Sequence, residues 1–181
     1  MAILIALLRG VNVGGHNKLP MQALRSITEA QGASDVSTYI QSGNIVFRSS
    51  KASAASFPKK LRAAINKGFG FEPDILMIDR DKLGAVIKGN PFAAIGDDPS
   101  KLHVVFLTQP ADKKRLKEVE ALLSDEEQVK AVRSAIYFHA PAGVGRSKAA
   151  EKLGRMFSDG TMRNWRTCLK LEEMADALAR A

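Results

Sequence analysis

The chain has 181 residues, 45% of them hydrophobic and 25% charged, with a formal net charge of +8. That length suits one large domain or two small ones, each with a real core. A single cysteine, Cys168, excludes an internal disulfide framework and fits a reducing cytoplasm. Three histidines (His16, His103, His139) and one thiol leave no zinc site of the usual spacing, so no metal and no cofactor is expected. No stretch approaches the roughly 20 apolar residues of a membrane span. The apolar start lacks the basic n-region of a signal peptide.

The positive charge is uneven. Residues 1–90 carry 12 Lys/Arg against 6 Asp/Glu, and residues 91–181 carry 15 against 13. Between Asp35 and Glu72 there is no acid, and from Lys130 to Lys170 nine bases face only Glu151 and Asp159. Such fields suit phosphate or another anion, although a generally basic solvated surface has the same composition.

In chain order, Ala2 to Leu8 is a continuous apolar run, the pattern of a strand buried on both faces. It breaks into Arg9-Gly10-Val11-Asn12-Val13-Gly14-Gly15, a loop whose glycines let the backbone turn or approach a ligand. Pro20 suits a first helical position, and Met21, Leu24, Ile27 and Ala30 recur at helical spacing up to Gly32. Val36 to Arg48 reads as a hairpin turning at Ser42-Gly43. An Ala/Ser-rich connection, residues 49–56, leads to a helix on Phe57, Leu61, Ala64 and Ile65, ending near Gly68 or Gly70. Ile75 to Ile78 completes β-α-β-β-α-β, the split βαβ plan of a ferredoxin-like unit.

Asp79 to Lys88 is a connecting helix, with a boundary at Gly89 to Pro99. The pattern then resumes: a strand from Leu102 to Thr108, a helix from Pro110 to Leu123, a hairpin from Val129 to His139, and a helix on Ala149, Leu153, Met156 and Phe157. The last strand of the second unit is expected to be missing or replaced. Thr161 to Arg166 instead opens a C-terminal helix on Trp165, Cys168, Leu171, Met174 and Leu178. The reading is an α+β fold, a tandem pseudo-repeat of ferredoxin-like subdomains at 1–90 and 100–181 with an added C-terminal helix.

Four segments are candidates for chemistry. The first loop has Gly10 and Gly15 at P-loop separation, but His16 stands for the lysine and Asn17 for the magnesium-binding hydroxyl, so it is no P-loop. Consecutive N–H groups there could form an anion nest, or Gly14 and Gly15 could merely turn the chain. At the hairpin tip Gln41, Ser42 and Asn44 offer hydrogen-bonding groups, though the same residues serve turn geometry. Gly143-Val144-Gly145-Arg146-Ser147-Lys148 precedes a helix, with Ser147 as N-cap, and glycines, an arginine and a helix N-terminus together suit a phosphate. Arg163 and Asn164 fall off the apolar stripe of the last helix. Trp165 and Cys168 lie on that stripe and read as core.

Ile5 to Gly15, Thr38-Tyr39-Ile40-Gln41-Ser42-Gly43-Asn44-Ile45-Val46-Phe47, Arg146-Ser147-Lys148 and Arg163-Asn164-Trp165 together closely resemble the bacterial domain-of-unknown-function family numbered 1697. The resemblance runs in order along essentially the whole chain. It implies a duplicated ferredoxin-like α+β plan and supplies no activity, substrate or catalytic residue. His16 stands where such sequences often carry lysine, which speaks against a catalytic role for it.

The leading functional expectation is a binding protein for a phosphate-bearing partner, nucleic acid or a nucleotide-like metabolite. Its ligand-binding set is Arg9, Asn12, Gly14, Gly15, Gln41, Ser42, Asn44, Arg146, Ser147, Lys148, Arg163 and Asn164. The alternatives are an enzyme using the same polar, basic segments and an oligomeric interaction module. The enzyme reading lacks a carboxylate or a nucleophile–base pair in those segments.

Overall fold

The structure is a computed structural model describing residues 1–50, 54–94 and 98–181. Parts of the Ala/Ser-rich connection and of the expected boundary segment, residues 51–53 and 95–97, lie outside the described residues. By Cα proximity the chain divides into two compact units, Met1–Gly84 with Lys170–Ala181, and Ala85–Leu169.

In the first unit β1 (Ala2–Arg9), β2 (Ser34–Tyr39), β3 (Asn44–Ser49) and β4 (Asp74–Asp79) form one antiparallel sheet in the order β2-β3-β1-β4. The apolar run sits at its centre, paired on both sides. Leu4, Ala6 and Leu8 share one face with Ile45 and Phe47. Against them pack Met21 and Leu24 of α1 (Met21–Ala30), and Phe57, Leu61 and Ile65 of α2 (Phe57–Phe69). Phe47 and Phe57 stack with ring centroids 4.7 Å apart. Ile5 and Leu7, of opposite parity, are fully buried on the other face beside Val46, Leu76 and Ile78. Burial on both faces is why the run does not alternate.

Turn chemistry sets the ends of these elements. Pro20, with extended ψ, is the N-cap rather than the first residue of α1. Gly70 closes α2 with φ +76, the left-handed conformation a glycine adopts freely. Asp35 at φ +53 marks an irregularity where the β2–β3 register shifts.

α3 (Arg80–Lys88) follows β4. In the second unit β5 (Leu102–Phe106), β6 (Gln128–Val132), β7 (Ala135–His139) and β8 (Thr161–Asn164) form an antiparallel sheet in the order β6-β7-β5-β8. Val105, Ile136 and Phe138 pack against Val119 of α4 (Lys113–Glu120), and against Ala149, Ala150 and Leu153 of α5 (Lys148–Met156). On the other face the buried Tyr137 hydroxyl donates to the Val86 carbonyl at 2.6 Å.

Two expectations need correction. The last strand is present: Thr161–Asn164 pairs with β5, Phe106 opposite Thr161 and His103 opposite Asn164. The C-terminal helix, α6 (Trp165–Arg180), begins only after it. α4 is also shorter than the Pro110 to Leu123 expected, because the Asp112 side chain accepts from Arg115 N and fixes the start. Among the described residues no helix is long and apolar enough to cross a membrane.

Candidate functional site

In the first unit the chain leaving β1 and the tip of the β2–β3 hairpin come together. Leu8 N donates to the Gly43 carbonyl at 2.8 Å, and a Cβ on Gly43 would stand 2.7 Å from Leu8 Cβ and 2.8 Å from Val11 Cγ2. Gly43 has φ +74, so both the backbone angle and the close approach demand glycine.

Asn12 ties the loop together. Its Nδ2 donates to the carbonyls of Leu19 (2.9 Å) and Gln41 (2.8 Å), and its Oδ1 accepts from Leu19 N (2.8 Å). Both amide hydrogens and the amide oxygen are thus engaged by backbone. Asn17 Nδ2 donates to the Gly10 carbonyl, and Asn12 N to the Asn17 carbonyl. Val13 and His16 form a bridge closed by His16 N to the Val13 carbonyl. With Gly14 at φ +57 and Gly15 at φ +79 this is a type I′ hairpin turn.

Around this frame Arg9 is half-buried and stands across from Asp74 in the strand register. Gln41 is exposed, Ser42 is half-buried, and Asn44 is buried with its Nδ2 donating to the Tyr39 carbonyl and to Ser42 Oγ. The hairpin amides therefore hold the turn in shape, as Asn12 holds the loop.

In the second unit the Gly143 to Lys148 loop opens onto a cavity of about 650 Å3 lined also by Leu122, Leu123, Ser124 and Glu127. Ser147 Oγ accepts from Ala150 N at 3.0 Å, capping α5. The first intrahelical bond runs from Glu151 N to the Ser147 carbonyl, so the N–H groups of Lys148 and Ala149 have no intrahelical acceptor and this helix end presents donors and positive dipole. Arg146 and Lys148 are exposed beside it. Glu127 is the one acid of that lining, and its Oε2 accepts from Ser124 N at 2.9 Å. This wall was missed at the sequence level. Its signal is Ser124-Asp125-Glu126-Glu127, the S-x-x-E spacing of a reciprocal cap.

Arg163 and Asn164 do not line that cavity. Arg163 lies in β8 opposite Val104 and donates from Nη1 to the Met162 carbonyl. Burial draws its guanidinium down to about 10, while the nearby Cys168 acts in the opposite direction. Asn164 Oδ1 accepts from Arg166 N, capping α6, and its Nδ2 donates to the Ser100 carbonyl at 2.9 Å. Cys168 is fully buried and burial pushes its thiol up to about 12, so it stays protonated and inert at neutral pH. Among the described residues no group of three His, Cys, Asp or Glu side chains could hold a metal ion.

The expected set thus forms two groups. Arg9, Asn12, Gly14, Gly15, Gln41, Ser42 and Asn44 belong to the first unit, and Arg146, Ser147, Lys148, Arg163 and Asn164 to the second.

A solved structure described as that of the conserved bacterial protein SP0830 from Streptococcus pneumoniae is similar to this chain, with a TM-score of 0.74 and 24% identity. The match covers 97% of this chain and 99% of that one, a likeness of fold. No curated protein matches the chain. The family model described as "Protein of unknown function (DUF1697)" matches residues 1–137. The chain belongs to the DUF1697 family.

Proposed function

We propose that the protein binds a phosphate-bearing ligand, a nucleotide-like metabolite or a nucleic-acid backbone, at the N-terminus of α5. The observation that carries this reading is the cavity of about 650 Å3 into which the Gly143 to Lys148 loop brings Arg146, Lys148 and the capped end of a helix. Backbone N–H groups supply directional donors, the helix dipole favours negative charge, and two cations set the sign of the field. Lysine in a first helical turn opposes the dipole, a cost that an anion between them removes. The chain's net charge of +8 adds long-range attraction.

The same reading takes each unit as a ferredoxin-like subdomain, the pair descending from one β-α-β-β-α-β plan; the matching strand orders support it. Asn12 and Asn44 then act as frame residues.

Calorimetric titration with pyrophosphate, a nucleoside triphosphate and a short single-stranded oligonucleotide, at low and high salt, tests the proposal. Saturable binding is expected that weakens with salt and falls at least about tenfold in Arg146→Ala/Lys148→Ala. Absence of heat for every probe at low salt, or equal affinity in the double variant, would remove the reading.

A further inference from the structure

A second cavity, of about 340 Å3, lies in the same unit and has a different chemistry. Its walls are mostly apolar and aromatic, including Phe92, Leu102, Trp165 and Leu169. Asn164, capping α6, makes Trp165 the first helical residue, and Leu169 follows at i+4 on the same side. Leu169 is 39% exposed, an apolar side chain left at the rim.

Four polar atoms around this cavity are unspent among the described residues. The enclosed Nδ1 of His139 has no hydrogen-bond partner. Asn90 uses Oδ1 to accept from Phe92 N at 2.9 Å, and its Nδ2 makes no bond among the described residues. The Trp165 indole N–H likewise has no partner there. At the mouth, Asp98 gives Oδ1 to Ser100 and Arg166, and its Oδ2 makes no bond among the described residues. The hydrogen bonds from Ser100 hold the Asp98 carboxyl below its usual range, so it is ionised at neutral pH. The enclosed His139 Nδ1 costs stability unless something in the cavity bonds it, whereas the Asn90, Trp165 and Asp98 atoms are open to solvent and available to a ligand. A few placed polar groups on apolar walls are the composition of a small-molecule pocket, here near the lower end of the usual size of about 300–1,000 Å3.

We propose that this cavity binds a small, uncharged heteroaromatic molecule of nucleobase size, with ring-carbonyl acceptors and N–H donors. The donors at Trp165 and Asn90 meet carbonyl oxygens, His139 Nδ1 takes either role, and Asp98 Oδ2 accepts a ligand N–H at the mouth. The apolar walls receive the ring faces. No Lys or Arg lines this cavity among the described residues and Asp98 is paired with Arg166, so nothing in it calls for an anion; the pocket is separate from the α5 site and does not rest on it.

Trp165 is the only tryptophan of the chain, and its fluorescence reports on the pocket directly. The full chain is titrated with uracil, thymine, adenine and hypoxanthine, and with toluene as a ring lacking the polar edge. Saturable change in Trp165 emission is expected for at least one base and not for toluene. Asn90→Asp keeps the acceptor for Phe92 N and removes the donor, so it should weaken that base at least about tenfold. Leu169→Arg, a change at an exposed position, should block the rim, whereas Lys130→Ala, exposed and outside both cavities, should leave affinity unchanged. Unaltered melting temperatures identify the variants that remain folded. No saturable change up to about 10 mM base, or toluene binding as well as the bases with Asn90→Asp indifferent, overturns the proposal.

Discussion

Replacing Asn12 by alanine removes three hydrogen bonds at once and leaves their partners stranded. Leu19 is fully buried, so its N–H, now bonded to Asn12 Oδ1, would have no acceptor. An orphaned buried donor costs about 1–3 kcal/mol, and each lost bond to the Leu19 and Gln41 carbonyls about 0.5–1.5 kcal/mol. Asn12 also sits at φ +53, where asparagine is tolerated better than alanine. Together these give a loss of about 3 kcal/mol or more, or roughly 6–12 °C in melting temperature for a chain of this size. Urea denaturation followed by far-ultraviolet circular dichroism measures it. Gln41→Ala is the control, because Asn12 bonds the Gln41 backbone while the exposed side chain is spare. That variant should lie within about 0.5 kcal/mol of the parent. If Asn12→Ala unfolds at the parental midpoint, or Gln41→Ala costs as much, Asn12 is not the tie between loop and hairpin.

Gly43→Ala places a methyl 2.7 Å from Leu8 Cβ in a left-handed backbone and should cost about 2–5 kcal/mol, the sum of conformational strain and overpacking. Gly10→Ala, at φ +73 with open space around it, should cost only about 1–2 kcal/mol, and equal costs would refute the close-approach argument. His103 has its Nε2 3.3 Å from Asn164 Nδ2, a group that can only donate, so Nε2 accepts and the ring is neutral. Burial holds the His103 imidazolium pKa below its ordinary 6.5. The unfolded chain therefore binds its proton first as pH falls, and stability should decline below about pH 6.5 through the lowered folded value. His103→Gln should flatten that decline in denaturation midpoints measured from pH 7 to 5; an unchanged slope would assign it to other groups.

The central strand of the first unit was legible because a strand buried on both faces has a continuous apolar run that no surface element imitates. β8 was not. Its four residues include Arg163, placed opposite Val104, and no alternation marks them; the strand exists because β5 has an edge to pair. The end of α4 was overrun because Val119 and Leu123 keep helical spacing while the helix stops at Glu120. Side-chain roles were the hardest to read. Asn12 has the composition of a ligand group, yet its partners lie 7 and 29 residues away, and only the folded register brings them to its amide. Asn164 likewise looks available off the helical stripe but caps the helix it was expected to lie within. The Gly143 to Lys148 loop was legible as a capped helix start because that signal is local. Its opposing wall at Ser124 and Glu127 required the fold.

The most direct test of the proposed anion site is a backbone-amide NMR titration of the chain with pyrophosphate at low ionic strength. Saturating shifts are expected, confined to Gly143 to Ala149, largest at Lys148 and Ala149, and lost in Arg146→Ala/Lys148→Ala. Shifts that never saturate, spread over the basic surface or persist in the double variant would contradict it.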